Sequence, residues 1–77
     1  MKITVLFFGQ LTDLCDASSV EIGGVSDTKG LQEHLNKQFP NLAAAQYVLS
    51  VNRKIRQQNV ILENGDEVAL LPPFSGG

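Results

Sequence analysis

The chain has 77 residues, enough for one domain around one hydrophobic core. With 43% hydrophobic and 18% charged residues it is not disordered by composition, and a net charge of −2 argues against binding driven by phosphate neutralisation. One Cys excludes an intrachain disulfide, a CxxC redox pair and a cysteine-ligated iron–sulfur cluster; one His leaves too few nitrogen ligands for an ordinary zinc site.

Residues 2–9 are β-branched and aromatic and predict a strand. Ile3, Val5 and Phe7 fall on one face; Thr4, Leu6 and Phe8 fall on the other. The apolar run stops at Gly9-Gln10, shorter than a signal peptide requires, so the segment reads as a strand and the expected location is the cytoplasm. No stretch approaches the roughly 20 apolar residues of a membrane span. Residues 10–15 predict a short helical turn, and Ser19-Val20-Glu21-Ile22 alternates as a half-buried strand, ended by Gly23-Gly24. The first two strands then form an antiparallel pair with a wide connection. Ser26, Asp27 and Thr28 are N-cap candidates for a helix over residues 27–39, whose Leu31, Leu35 and Phe39 recur at helical spacing until Pro40 stops it. Residues 47–51 predict a strand with Leu49 and Val51 on one face. Asn52-Arg53-Lys54 reads as a turn, Ile55 as the start of a short return strand, and 60–62 as a brief apolar run. Asn64-Gly65-Asp66 is a strong turn signal before a final strand at 67–71, which Pro72-Pro73 ends. The order β-β-α-β-(β)-β describes an α+β fold, a mixed sheet with one main helix on one face.

The last six residues, Pro72-Pro73-Phe74-Ser75-Gly76-Gly77, carry the functional signal. Two prolines extend the chain away from the sheet, and six residues reach about 20 Å. Two glycines can thread a channel that any Cβ would block. The reactive group is then the Gly77 carboxylate, a poor acyl donor until activated, for example by adenylation.

Two blocks, Val5-Leu6-Phe7-Phe8-Gly9-Gln10-Leu11 and residues 64–77, together with Val51-Asn52, carry a resemblance. The chain resembles the small, sulfur-carrying subunits of molybdopterin synthase, the MoaD family, within the ubiquitin-like β-grasp superfamily. Lys29-Gly30 departs from that family's apolar helix start. The resemblance implies a β-grasp domain over 1–71 and a flexible tail over 72–77. It implies no bound cofactor; ATP is used by a partner, an E1-like adenylyltransferase, which adenylates Gly77. A persulfide sulfur donor then yields a thiocarboxylate. The tail, with Ser75 and Gly76 as slim spacers, enters the large subunit, where sulfur passes to cyclic pyranopterin monophosphate in molybdenum cofactor biosynthesis. Family members form heterotetramers of two small and two large subunits, with the acid–base groups on the large one.

If Ile3, Val5, Phe7, Val68 and Leu70 face the helix, then Leu6, Phe8, Ala69 and Leu71 share the opposite face. With the first and last strands adjacent they form one apolar patch, a partner-docking surface that Pro73 and Phe74 continue along the tail. Cys15 has no His or CxxC partner and reads as structural; His34 reads as a surface residue. Asp66 belongs to a turn and Glu67 to a strand rim, not to a catalytic dyad. Arg53, Lys54 and Arg56 read as a solvated hairpin, and Ser75 has no base to make it a nucleophile. The competing readings are a carrier for thiamine or tRNA thiolation, a ubiquitin-like modifier joined to lysines through Gly77, and a binding module with an inert tail.

Overall fold

Alternation along the first strand sets the frame. In the computed structural model, which describes residues 2–73, β1 spans Lys2–Phe7, with Ile3, Val5 and Phe7 buried and Leu6 half-buried. The strand ends two residues earlier than its composition predicts. Gly9 adopts φ +59, and Leu11 and Thr12 donate back to the Phe8 and Gly9 carbonyls at 3.2 Å. That bend starts α1 (Leu11–Cys15), which buries Leu11 and Cys15. β2 (Ser19–Gly23) returns antiparallel to β1, pairing Ile3 with Ile22 and Val5 with Val20.

α2 (Thr28–Gln38) is the main helix. Asp27 is its N-cap: its Oδ1 accepts from Gly30 N at 2.8 Å. The departure at Lys29-Gly30 has a local reason, since a Cβ at Gly30 would stand 2.9 Å from that same oxygen. Leu31 and Leu35 are fully buried against the sheet, each worth about 1.5–3 kcal/mol relative to exposure. Pro40 ends α2 as predicted, but the chain continues as a 3-10 turn (Pro40–Ala44) that buries Leu42. Pro suits the first position of a new turn because its missing N–H is unpaired there anyway. Phe39 lies against Phe7 with ring centroids 5.6 Å apart, edge to face.

β3 (Val48–Val51) and β4 (Lys54–Arg56) form a hairpin, and β5 (Glu67–Leu71) completes the sheet. The order is β2-β1-β5-β3-β4, with β5 parallel to β1 and antiparallel to β3. The turn is two residues, Asn52-Arg53, both at positive φ; Lys54, predicted in the turn, already pairs with Val51. The irregular stretch before β5 is held by side chains. Asn59 Oδ1 accepts from Lys29 N at 2.8 Å and Thr28 Oγ1 at 3.1 Å, and its Nδ2 donates to Asp27 at 3.1 Å. This fastens residues 59–62 to the start of α2, buries Leu62 and leaves Ile61 exposed. The core thus fills one side of the sheet, and among the described residues no helix covers the other.

Candidate functional site

The uncovered sheet face is built by alternation. Every residue flanked by two core residues in β1, β3 and β5 points to it. Leu6 pairs with Ala69, Ala69 with Ser50 and Ser50 with Ile55, so four strands supply one continuous row. Leu71, paired with Val48, and Phe8, 45% exposed, stand above it. Leu6, Phe8, Ser50, Ala69 and Leu71, with Arg53 and Glu67 at the rim, line a depression of about 370 Å³. The structure therefore brings together Leu6, Phe8, Ala69 and Leu71.

Pro73 stands elsewhere. It is exposed and borders a separate groove of about 480 Å³ with Gln10, Leu14 and Ala45. Phe74, Ser75, Gly76 and Gly77 lie outside the described residues. The lead-in to them is positioned by β5 and by Gly9: a Cβ on Gly9 would meet Pro72 Cγ at 2.7 Å. The chain thus leaves the sheet at Leu71, on the margin of the open face.

A side-chain clamp fixes the start of β5. Asn52 Oδ1 accepts from Glu67 N at 3.0 Å, and Asn52 Nδ2 donates to Asp66 Oδ1 at 3.1 Å. Asp66 Oδ2 accepts from Glu63 N at 2.8 Å. The Glu63 amide first, then the Asn52 amide, hold the Asp66 carboxyl below the usual carboxylate range. Asp66 is therefore a turn residue and Glu67 a rim residue, not a dyad. Burial pushes the Cys15 thiol up, away from the reactive thiolate; His34, Lys54 and Arg56 are exposed. Among the described residues no three His, Cys, Asp or Glu side chains gather as a metal site, and no helix is long and apolar enough to cross a membrane.

The model of the ThiS family matches residues 5–77. The chain belongs to the ThiS family. It is 32% identical to the molybdopterin synthase sulfur carrier subunit of Mycobacterium tuberculosis, over all of this chain and 99% of that one. It is also similar to a chain in the solved complex of subunits 1 and 2 of molybdopterin-converting factor from Helicobacter pylori. The two are 28% identical, with a TM-score of 0.78 over the full length of both. The small archaeal modifier protein 1 of Methanosarcina acetivorans, 18% identical, shares the fold, with a TM-score of 0.84 over 99% of this chain and 96% of that one. The ThiS-family fold here is the ubiquitin-like β-grasp, five strands around one main helix.

Two residues of the open face escape a reading of the ThiS-family sequence by composition. Ile55, 54% exposed, extends the row to the sheet edge, and Ser50 sits in its middle. The signal for both is the turn length. A two-residue Asn52-Arg53 turn places Ile55 opposite Ser50, whereas a three-residue turn through Lys54 shifts every partner by one.

Proposed function

We propose that this protein is the sulfur-carrier subunit of a molybdopterin synthase. The observation that carries the reading is where β5 ends relative to the open face, together with the sequence that follows it. β5 ends at Leu71 on the margin of the open face, and Pro72-Pro73-Phe74-Ser75-Gly76-Gly77 follows directly. The end-to-end similarity to a molybdopterin synthase sulfur carrier subunit, and the likeness to a chain found in a two-subunit complex, support it. A partner that grips Leu6, Phe8, Ala69, Leu71 and Ile55 receives the tail at a fixed offset.

The Gly77 carboxylate oxygen attacks the α-phosphorus of ATP on an E1-like partner, releasing pyrophosphate. The outer sulfur of a persulfide donor then displaces AMP to give an acyl disulfide. A second thiol cleaves its S–S bond, leaving the thiocarboxylate on Gly77 and a disulfide on the donor side. Docked on the large subunit, that sulfur passes to cyclic pyranopterin monophosphate. The chain itself holds no cofactor and supplies no acid or base; its part is to carry sulfur, dock and present the end. The assembly is two small and two large subunits, working in the cytoplasm.

Intact mass tests this. Incubation with the activating enzyme, ATP and a sulfur donor produces a gain equal to replacing one oxygen by sulfur, mapped to Gly77. A terminus that remains a carboxylate, where a known carrier is converted in parallel, overturns the reading.

A further inference from the structure

Ser50 is the anomaly of the open face. The residue is only 6% exposed, it lines the depression, and its hydroxyl, which is not itself fully buried, takes part in none of the side-chain hydrogen bonds among the described residues. Its neighbours in the row are Ala69 and Ile55, and the depression it lines is walled by Leu6, Phe8 and Leu71. No described side-chain hydrogen bond uses a hydroxyl there, and valine would suit the strand better. A polar group left bare inside an apolar patch costs free energy once a partner expels water from it.

We propose that Ser50 is a specificity-determining residue of the docking face, its hydroxyl hydrogen-bonded to one polar group of the large subunit. This rests on the docking proposed above. The occupant of the depression is a partner segment that is apolar where it meets Leu6, Phe8 and Leu71 and carries a single donor or acceptor at its tip. Ser50 lies beside Ala69 in the row, Leu6, Phe8 and Leu71 are apolar surface that sheds water on docking, and Arg53 and Glu67 are the charged part of the lining, so the bond forms where water is displaced. A partner of the same shape without that group leaves Ser50 unpaired and binds more weakly. The residue thus discriminates between partners with equally apolar surfaces.

The test is the affinity of the full-length protein for its cognate large subunit, by calorimetry, for wild type, Ser50→Ala, Ser50→Thr and Ala69→Glu. Thermal unfolding of each variant checks its fold. Ser50→Ala weakens binding about three- to tenfold, the range of one neutral hydrogen bond, and Ser50→Thr, which keeps the hydroxyl, stays within about twofold. Ser50→Ala binding as tightly as wild type, or tighter, overturns the inference. So does an equal loss in Ser50→Ala and Ser50→Thr, which would make size the determinant. Ala69→Glu separates the two readings by placing a charge in the same row. If it binds like wild type, the docking surface itself is wrong; if it abolishes binding while Ser50→Ala has no effect, only the role of Ser50 falls.

Discussion

Two carboxylates each close a local network without touching the core. Asp27 caps α2, and the Asn59 amide first, then the Gly30 amide, hold its carboxyl below the ordinary value; Asp66 joins the β3–β4 turn to β5. A carboxylate whose folded pKa is depressed stabilises the fold above its unfolded value, here 3.8, and that contribution is lost as pH falls through the folded value. The contribution of these groups to the unfolding midpoint is therefore expected not to change with pH near neutrality and to be lost below about pH 4. In Asp27→Asn and Asp66→Asn the midpoint is lower at pH 7 and the acid-side slope shallower. A slope equal to wild type in both would show that other groups control the acid limb. Asp66 was legible as a turn residue from Asn64-Gly65-Asp66, but its bond to Asn52 was not. That contact crosses 14 positions, and no local pattern encodes it.

The elements that local periodicity encodes are found where the sequence puts them. Leu31, Leu35 and Phe39 predict α2 to within a residue at each end, and the alternation of 67–71 matches β5. What local pattern misses is set by tertiary contact. The 3-10 turn after Pro40 exists because Leu42 finds a buried place under α1 and α2, and β4 exists because β3 offers it an edge. The β3–β4 turn carries a cost of its own. Arg53 adopts φ 71, a conformation that disfavours an L side chain by about 1–2 kcal/mol. Arg53→Gly removes that strain but adds about 0.4–1 kcal/mol of unfolded-state entropy. The net gain of about 0.5 kcal/mol raises the midpoint by roughly 2–4 °C. A midpoint at or below wild type would mean that the Arg53 side chain contributes more than its backbone costs. Arg53 also borders the open-face depression, which gives the position a reason to keep a side chain.

Over the whole molecule, the two faces of one sheet are divided between stability and recognition. Ile3, Val5, Phe7, Leu49, Val51, Val68 and Leu70 close the core, and the residues between them make the open face proposed above to receive a partner. Under the proposed function, the tail acts at a set distance from that face. Inserting two glycines between Ser75 and Gly76 adds up to about 7 Å of reach. Affinity for the large subunit is expected to stay within about twofold, while single-turnover sulfur transfer falls by about tenfold or more, because the reacting end is no longer held in place. Transfer at the wild-type rate would show that the channel, not tail length, positions the sulfur. The face was legible as soon as β1 and β5 were taken as neighbours; its full width, out to Ile55, depended on the length of one turn.

The parallel pairing of Thr4–Phe7 with Glu67–Leu70 sets an order of events in the life of each molecule. The sheet's central strand is the last of the five to be synthesised, and it pairs with the first, 63 positions away. Such non-local closure is slow relative to helix formation, and a nascent chain still lacking β5 has no partner for β1 or β3 at the middle of the sheet. The ribosome must therefore release residues 67–71 before the domain can form. A chain interrupted before that point lacks the strand that joins β1 to β3, the face residues Ala69 and Leu71, and Gly77, so under the proposed function it can neither dock nor accept sulfur.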